Sequence, residues 1–262
     1  MKHTLLSVLP KDFPWADTII YLDSVDSTNT YAKTLAQSGA PHGTCVLAGT
    51  QTGGRGRMGR QFSSPAGMGV YLSVILRPNC KAEDLMHLTC CTGVAMCNAV
   101  EQAAGIRPQI KWINDLVVNQ QKLGGILTEL SVNSTGFVDF AIVGIGINCT
   151  QKLPDFPEEL QTIATSLSIV TGAQIPPVQL ASKMLLALSQ MDITQKASIL
   201  ERYKADCLTL GQQVVILRND EKRYGKAVDL DADGGLIVEY PDGHRDTVSS
   251  GEVSIRGMYG YI

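Results

Sequence analysis

At Gly211 the chain changes character. Before it, stretches with helical spacing alternate with short apolar runs; after it no helical period survives. The segments VVILR, YGKAVDL, GLIVEY and HRDTVSS are separated by NDEK, DADGG and YPDG, the Asp/Asn/Gly-rich turns that hairpins require. Short strands joined by such turns predict a small β-barrel over residues 211–262, preceded by a larger unit over residues 1–210. Of the 262 residues 44% are apolar, enough for a packed core and too many for disorder. A net charge of −3 excludes a basic surface over the whole molecule. No apolar run reaches the roughly 18–20 residues of a membrane span. LLSVL, ending before Pro10, is too short for a secretory signal. Seven cysteines without a CxxC pair predict reduced, mostly buried thiols and a cytoplasmic protein. The four histidines, without HExxH, argue against a His-based metal site.

In the larger unit, the apolar run Thr18–Leu22 leads to a helix capped at Ser27 or Thr28, with Ala32, Leu35 and Ala36 on its apolar face and Gly39 at its end. Thr44–Thr50 and Val70–Leu76 read as buried strands and Ala82–Ala104 as a long core helix. Strands are predicted at Ile110–Trp112, Leu116–Val118, Leu123–Leu130 and Phe137–Ile145. Helices are predicted at Thr162–Thr171, Pro177–Gln190 and Lys196–Cys207.

The first chemical signal is a missing charge. The 56 residues from Ser27 to Ala82 contain no Asp or Glu but six bases: Lys33, Arg55, Arg57, Arg60, Arg77 and Lys81. A surface without carboxylates that carries arginines on glycine-rich backbone suits an anion, most simply a phosphate. Gly54-Arg55-Gly56-Arg57-Met58-Gly59 matches GxGxxG literally. The dinucleotide reading nevertheless fails, because no helix follows and no acid lies about twenty residues on. The expectation is a loop, mobile when empty, that orders around a charged ligand.

Two further segments carry glycines inside apolar strands: Lys122-Leu123-Gly124-Gly125-Ile126-Leu127 and Gly144-Ile145-Gly146-Ile147-Asn148. Glycine within a strand marks close approach by a ligand or another backbone. Together with the loop, these notches predict a slot for a flat or extended small molecule.

Six segments in this order resemble the biotin protein ligases: Asp26-Ser27-Thr28-Asn29, Gln51-x-x-Gly54-Arg55-Gly56-Arg57-x-Gly59, Lys111-Trp112-x-Asn114-Asp115, Lys122-Leu123-x-Gly125-Ile126-Leu127, Gly144-x-Gly146-Ile147-Asn148 and Ser250-Gly251-Glu252-Val253-Ser254. The resemblance covers nearly the whole chain. It implies an α+β fold: a catalytic domain with a mixed β-sheet, related to class II aminoacyl-tRNA synthetases, followed by an SH3-like β-barrel. It also implies an ATP-dependent ligase that forms biotinyl-5′-AMP and transfers biotin to a lysine of a biotin carboxyl carrier protein. Biotin and ATP are the implied substrates. Mg2+ is expected on the phosphates, with ligands the sequence does not assign.

By matching position, Ser27, Thr28, Asn29 and Gln51 would hold the ureido ring, which offers two donors and one acceptor. Arg55, Gly56 and Arg57 would cover the biotin tail and the phosphates. Lys122 would stand between the biotin carboxylate and the α-phosphate, with Gly125 beside it on the biotin side. Arg57, Lys111, Asn114 and Asn148 would hold the nucleotide. Asp115 would orient the nucleotide or the incoming lysine. Lys122, Arg57 and Asp115 are therefore the expected catalytic residues, and Trp112 is expected to pack rather than touch substrate. Phe62 stands where the family often has Trp, and Ile113, expected in a strand, where it often has Pro. Phe156, in a loop on the adenylate side, either covers the adenine or lies in a plain surface loop.

Some members carry an N-terminal helix-turn-helix and act as repressors. About fifteen residues precede the first strand, too few for that domain, so DNA binding by this route is not expected, nor is a membrane partner. The oligomeric state, including a homodimer, stays open. The alternatives are a lipoate or octanoate ligase or transferase of the same fold, and a non-catalytic biotin-binding module. The loop and the barrel favour biotin, and Arg55, Arg57 and Lys122 together argue against a dead site.

Overall fold

The computed structural model describes residues 2–218, 221–249, 252–255 and 258. Its larger sheet has seven strands: β1 (Ile19–Leu22), β2 (Thr44–Ala48), β3 (Gly69–Leu76), β4 (Gln109–Lys111), β5 (Asp115–Val118), β6 (Gln121–Val132) and β7 (Val138–Asn148). They lie in the order β1-β2-β3-β7-β6-β5-β4. The β1–β2 pair is parallel and the other pairs antiparallel, so the sheet is mixed. Every residue of β2 and β3 is buried, which is why these strands read as continuous apolar runs rather than alternating ones.

Helices cover both faces. On one lies α2 (Thr28–Gln37), whose Ala32 and Ala36 pack on Val46, Ile75, Phe140 and Ile142. On the other lie α3 (Leu88–Ala104), α5 (Pro177–Ser189) and α6 (Lys196–Asp206), with α1 (Lys2–Val8) against α5 and the short α4 (Leu167–Thr171) nearby. Arg107 ties α3 to α6: its guanidinium donates to Asp206 at 2.7 and 2.6 Å and to Glu101 at 2.8 Å. These carboxylates, Asp206 above all, hold it well above the usual arginine range. All seven cysteines are free and six are buried. Burial pushes the thiols of Cys91, Cys97 and Cys149 up to about 12.

Three sequence expectations need correction. The helix expected from Ala82 starts at Leu88; before it Glu83–Leu85 forms a separate 3-10 turn, and His87, at ψ 2°, breaks the run. The Asp84 carboxylate accepts from the Lys81 N–H, a local bond that competes with helix. The helix expected from Thr162 starts at Leu167, because tertiary pairing claims the preceding backbone. The Lys122 N–H donates to Ile163 O at 2.7 Å, and Thr165 N–H to Lys122 O at 2.9 Å. The helix then begins under a Ser166 cap. Finally, Ile113 lies in the turn joining β4 to β5 rather than in a strand.

The second sheet contains β8 (Gln213–Arg218), β9 (Glu221–Leu230), β10 (Leu236–Glu239), β11 (Arg245–Val248) and β12 (Glu252–Ile255). All its pairs are antiparallel, in the order β11-β10-β9-β8-β12, consistent with the SH3-like barrel expected. Gly211 enters it in the left-handed region, φ +82°, where a side chain would be strained. No helix among the described residues is long and apolar enough to cross a membrane.

Candidate functional site

A cavity of about 430 Å³ opens above β6 and β7. All thirteen residues assigned to the site from the sequence line it. Four groups build its walls.

The first is the start of α2. Ser27 caps the helix, accepting from Thr30 N–H at 3.4 Å. Thr28 donates to Gln51 Oε1 from its backbone N–H at 2.8 Å and from its hydroxyl at 3.0 Å, and Gln51 Nε2 donates to Ser64 Oγ at 2.9 Å. Asn29 is held at both ends of its carboxamide. Its Oδ1 accepts from Ser73 Oγ at 2.6 Å, and its Nδ2 donates to Glu129 Oε2 at 2.8 Å and Leu127 O at 3.3 Å. Ser27, Thr28 and Asn29 are all buried. This wall is a pre-formed polar network, in which Asn29 acts as an anchor as much as a free contact.

The second is the glycine loop. It is folded on itself: Gly56 N–H donates to Arg60 O at 2.7 Å and Phe62 N–H to Gly54 O at 2.9 Å. Met58 sits at φ +55° and is two-thirds exposed. Arg57 Nη1 reaches across to Asn114 Oδ1 at 3.1 Å. Arg55 lies 4.0 Å from Glu129.

The third is the pair β5–β6, in which Asp115 stands opposite Gly125. Lys122 Nζ lies 2.7 Å from Asp115 Oδ1. A Cβ at position 125 would come within 3.5 Å of Lys122 Cε and 3.6 Å of Asp115 Oδ1, so the bare glycine leaves room around the ammonium. This corrects the reading of an acid-free site. The stretch from Ser27 to Ala82 has no carboxylate, but neighbouring strands bring Asp115 and Glu129 alongside it, as counter-ions for Lys122 and Arg55.

The glycine notches need a parallel correction. A side chain at Gly144 would overlap Asn29 Oδ1, one at Gly146 the Phe62 ring, and one at Gly124 the Gly146 carbonyl. These notches accommodate the protein's own groups. Gly125 is the glycine of the two motifs that leaves open cavity.

The fourth wall carries Lys111, Asn148 and the apolar Phe156, Leu160 and Ile163. Asn148 donates to Thr165 O at 2.9 Å and accepts from Gln151 Nε2 at 3.0 Å. Phe156 is buried, which sets aside the plain-surface alternative. Trp112, at the back, is buried and donates from its indole to Gly234 O at 2.9 Å. Tyr203, fully buried, donates to Ile113 O at 3.1 Å, and burial holds its phenol well above the usual range, so it stays neutral. Val253 of β12 completes the lining; Ser250 and Gly251 of that motif lie outside the described residues.

Sequence reasoning missed Ser64, Ser73, Glu129 and Tyr203 as parts of this arrangement, and named Val253 within a motif without assigning it to the site. Ser73 had a readable signal, a hydroxyl inside the apolar run GVYLSVIL. Glu129 and Tyr203 had none, since each matters only through strand register or helix packing.

Residues 21–148 match the Biotin/lipoate A/B protein ligase family and residues 209–256 the Biotin protein ligase C terminal domain. A Biotin--[acetyl-CoA-carboxylase] ligase of Paracoccus denitrificans is 32% identical over 90% of this chain and 100% of its own. The Bifunctional ligase/repressor BirA of Bacillus subtilis is 38% identical, over 88% of this chain and 72% of its own length. A solved Biotin protein ligase from Aquifex aeolicus in complex with biotin and ATP is 33% identical, with a TM-score of 0.75 over 91% of this chain and 98% of that one.

Proposed function

The chain belongs to the biotin protein ligase family, and from that premise we propose that it biotinylates a lysine on a biotin carboxyl carrier protein by way of biotinyl-5′-AMP. In the first step a biotin carboxylate oxygen attacks the α-phosphorus of ATP. The bond between the α- and β-phosphates breaks, and pyrophosphate leaves. In the second, the carrier lysine's neutral amine attacks the acyl carbon. The acyl–phosphate bond breaks, AMP leaves, and the amine gives up a proton. Both steps gather negative charge on phosphate oxygens, so fixed cations and polar groups carry the catalysis.

In this reading the polar network at the start of α2 receives the ureido ring: Ser27, Thr28 and Gln51 as contacts, with Asn29 anchoring them. Lys122 exchanges Asp115 for the two anions that meet beside Gly125. Asp115, once released, orients the nucleotide or the incoming lysine. Arg55, Gly56 and Arg57 close over the biotin tail and phosphates, while Lys111, Asn114 and Asn148 hold the nucleotide against Phe156. Asp115 is the one carboxylate among the described lining residues, a donor set that suits a Mg2+ entering on the triphosphate. When bound, that ion would offset phosphate charge. The domains of this scheme are residues 1–210 for catalysis and 211–262 for the barrel. The cytoplasm, where thiols stay reduced, is the compartment the buried cysteines fit.

One observation carries the reading: Arg55, Arg57 and Lys122, from two separate segments, face one cavity that also holds the polar network at α2. A site for the neutral ring alone would have no use for three cations. The test is to incubate the chain with biotin, ATP, Mg2+ and a carrier domain and weigh the carrier. A gain of one biotinyl group is expected; an unchanged mass would overturn the proposal.

A further inference from the structure

The segment Lys111–Asp115 has a back as well as a front. Its front faces the cavity: Asn114 accepts from Arg57 and donates to Ile126 O at 2.9 Å, and Asp115 pairs with Lys122. Three bonds hold its back. Trp112 N–H donates to Thr209 Oγ1 at 2.9 Å, Tyr203 donates to Ile113 O, and the Trp112 indole donates to Gly234 O in the β9–β10 turn of the barrel. That turn is rigidly built. Asp231 Oδ1 accepts from the N–H groups of Asp233 and Gly235, each at 2.8 Å. Gly234 lies at φ +84°, and a Cβ there would come within 2.7 Å of Cys90 Sγ on α3. Ion pairs from Lys196 to Asp233 and from Lys204 to Asp229, the latter at 2.8 Å, fasten the turn and the strand before it to α6.

We propose that the Asp231–Gly235 turn is a positioning element for the nucleotide end of the site, acting through Trp112. None of its residues lines the cavity. It fixes where the Trp112 ring sits, and so where Asn114 meets Arg57 and where Lys111 faces the cavity. The Gly234 carbonyl is aimed at a buried donor, and glycine's bare Cα lets the turn close on Cys90. The inference rests on the ligase reading above and adds to it a specific route, from the Gly234 carbonyl through Trp112, by which the barrel holds the nucleotide end. Displacing a positioning contact by a fraction of an ångström lowers use of the substrate it positions and spares the other.

The experiment uses the full chain, without carrier, and measures pyrophosphate release against ATP and biotin separately, with melting temperatures for every variant. Trp112→Phe keeps an aromatic ring and removes the indole donor. Because Trp112 also lines the cavity, Gly234→Ala tests the same link from the barrel side. Both should raise KM for ATP about tenfold and leave KM for biotin within about twofold. Cys90→Ala/Gly234→Ala, which clears the thiol from the added methyl but leaves the φ +84° strain, should recover part of that loss. Unchanged KM for ATP in both single variants would overturn the proposal. So would equal rises in both KM values with lowered melting temperatures, the mark of a merely structural turn. A wild-type chain that releases no pyrophosphate with biotin and ATP would overturn the ligase reading, and this inference with it.

Discussion

The cavity's cations come from two kinds of scaffold. Lys122 stands on a sheet: its backbone pairs with Val117 on one side and Ile163 and Thr165 on the other, its ammonium is paired with Asp115, and Gly125 leaves the space beside it open. Arg55 and Arg57 ride on a loop folded on its own backbone, with side-chain reaches to Glu129 and Asn114. The sheet can hold a charge to within fractions of an ångström, which is what stabilising a developing phosphate charge needs. The loop can close over whatever has been bound, which is what retaining a reactive anhydride needs. Substitutions on the sheet should therefore strike the rate of chemistry, and substitutions on the loop should strike containment.

The largest effect belongs to Lys122→Ala. Adenylate formation, followed as pyrophosphate release, should fall about 100- to 1,000-fold. A loss below tenfold would erase the distinction between sheet and loop. Next comes Gly144→Ala, whose methyl has to displace Asn29. It should cost about 1–3 kcal/mol in chemical denaturation and weaken biotin binding as the network through Ser73 and Thr28 shifts. Full stability with normal biotin affinity would mean that Asn29 is free to move. Arg57→Ala should slow adenylate formation less than Lys122→Ala does. It should raise free biotinyl-AMP in solution about tenfold, because the loop loses its charge-assisted bond to Asn114. Chromatography of the filtrate reads this, and an unaltered level would remove the loop from containment. The smallest effect is expected of Glu129→Gln. It keeps an acceptor for Asn29 and removes only the charge near a half-exposed Arg55, so KM for biotin should stay within about twofold.

The same contrast explains what could be read from the sequence. Continuous apolar runs marked β2 and β3 because these strands are covered on both faces. Asp/Asn/Gly turns marked the hairpins from Gly211, and matching the six family-like segments by position collected thirteen of the residues that line the cavity. What escaped were contacts between segments distant in sequence. The acid-free stretch looked like an acid-free site until strand register set Asp115 opposite Gly125 and strand length carried Glu129 to Asn29. The glycines of β7 announced close approach correctly, but sequence could not say that Asn29 and Phe62 fill the gaps. Thr162–Thr165 had helical spacing and lost it to pairing with Lys122. Trp112 read as packing, and the carbonyl that receives its indole lies more than a hundred residues away.

The central claim is that Lys122, Arg55 and Arg57 let two anions meet in one cavity. Mixing the chain with biotin, ATP and Mg2+, with no carrier present, and quantifying the adenylate that stays with the protein tests it most directly. Close to one biotinyl-AMP per chain is expected, with pyrophosphate released in equal amount, and almost none for Lys122→Ala. Binding of biotin and ATP with neither product formed would contradict it.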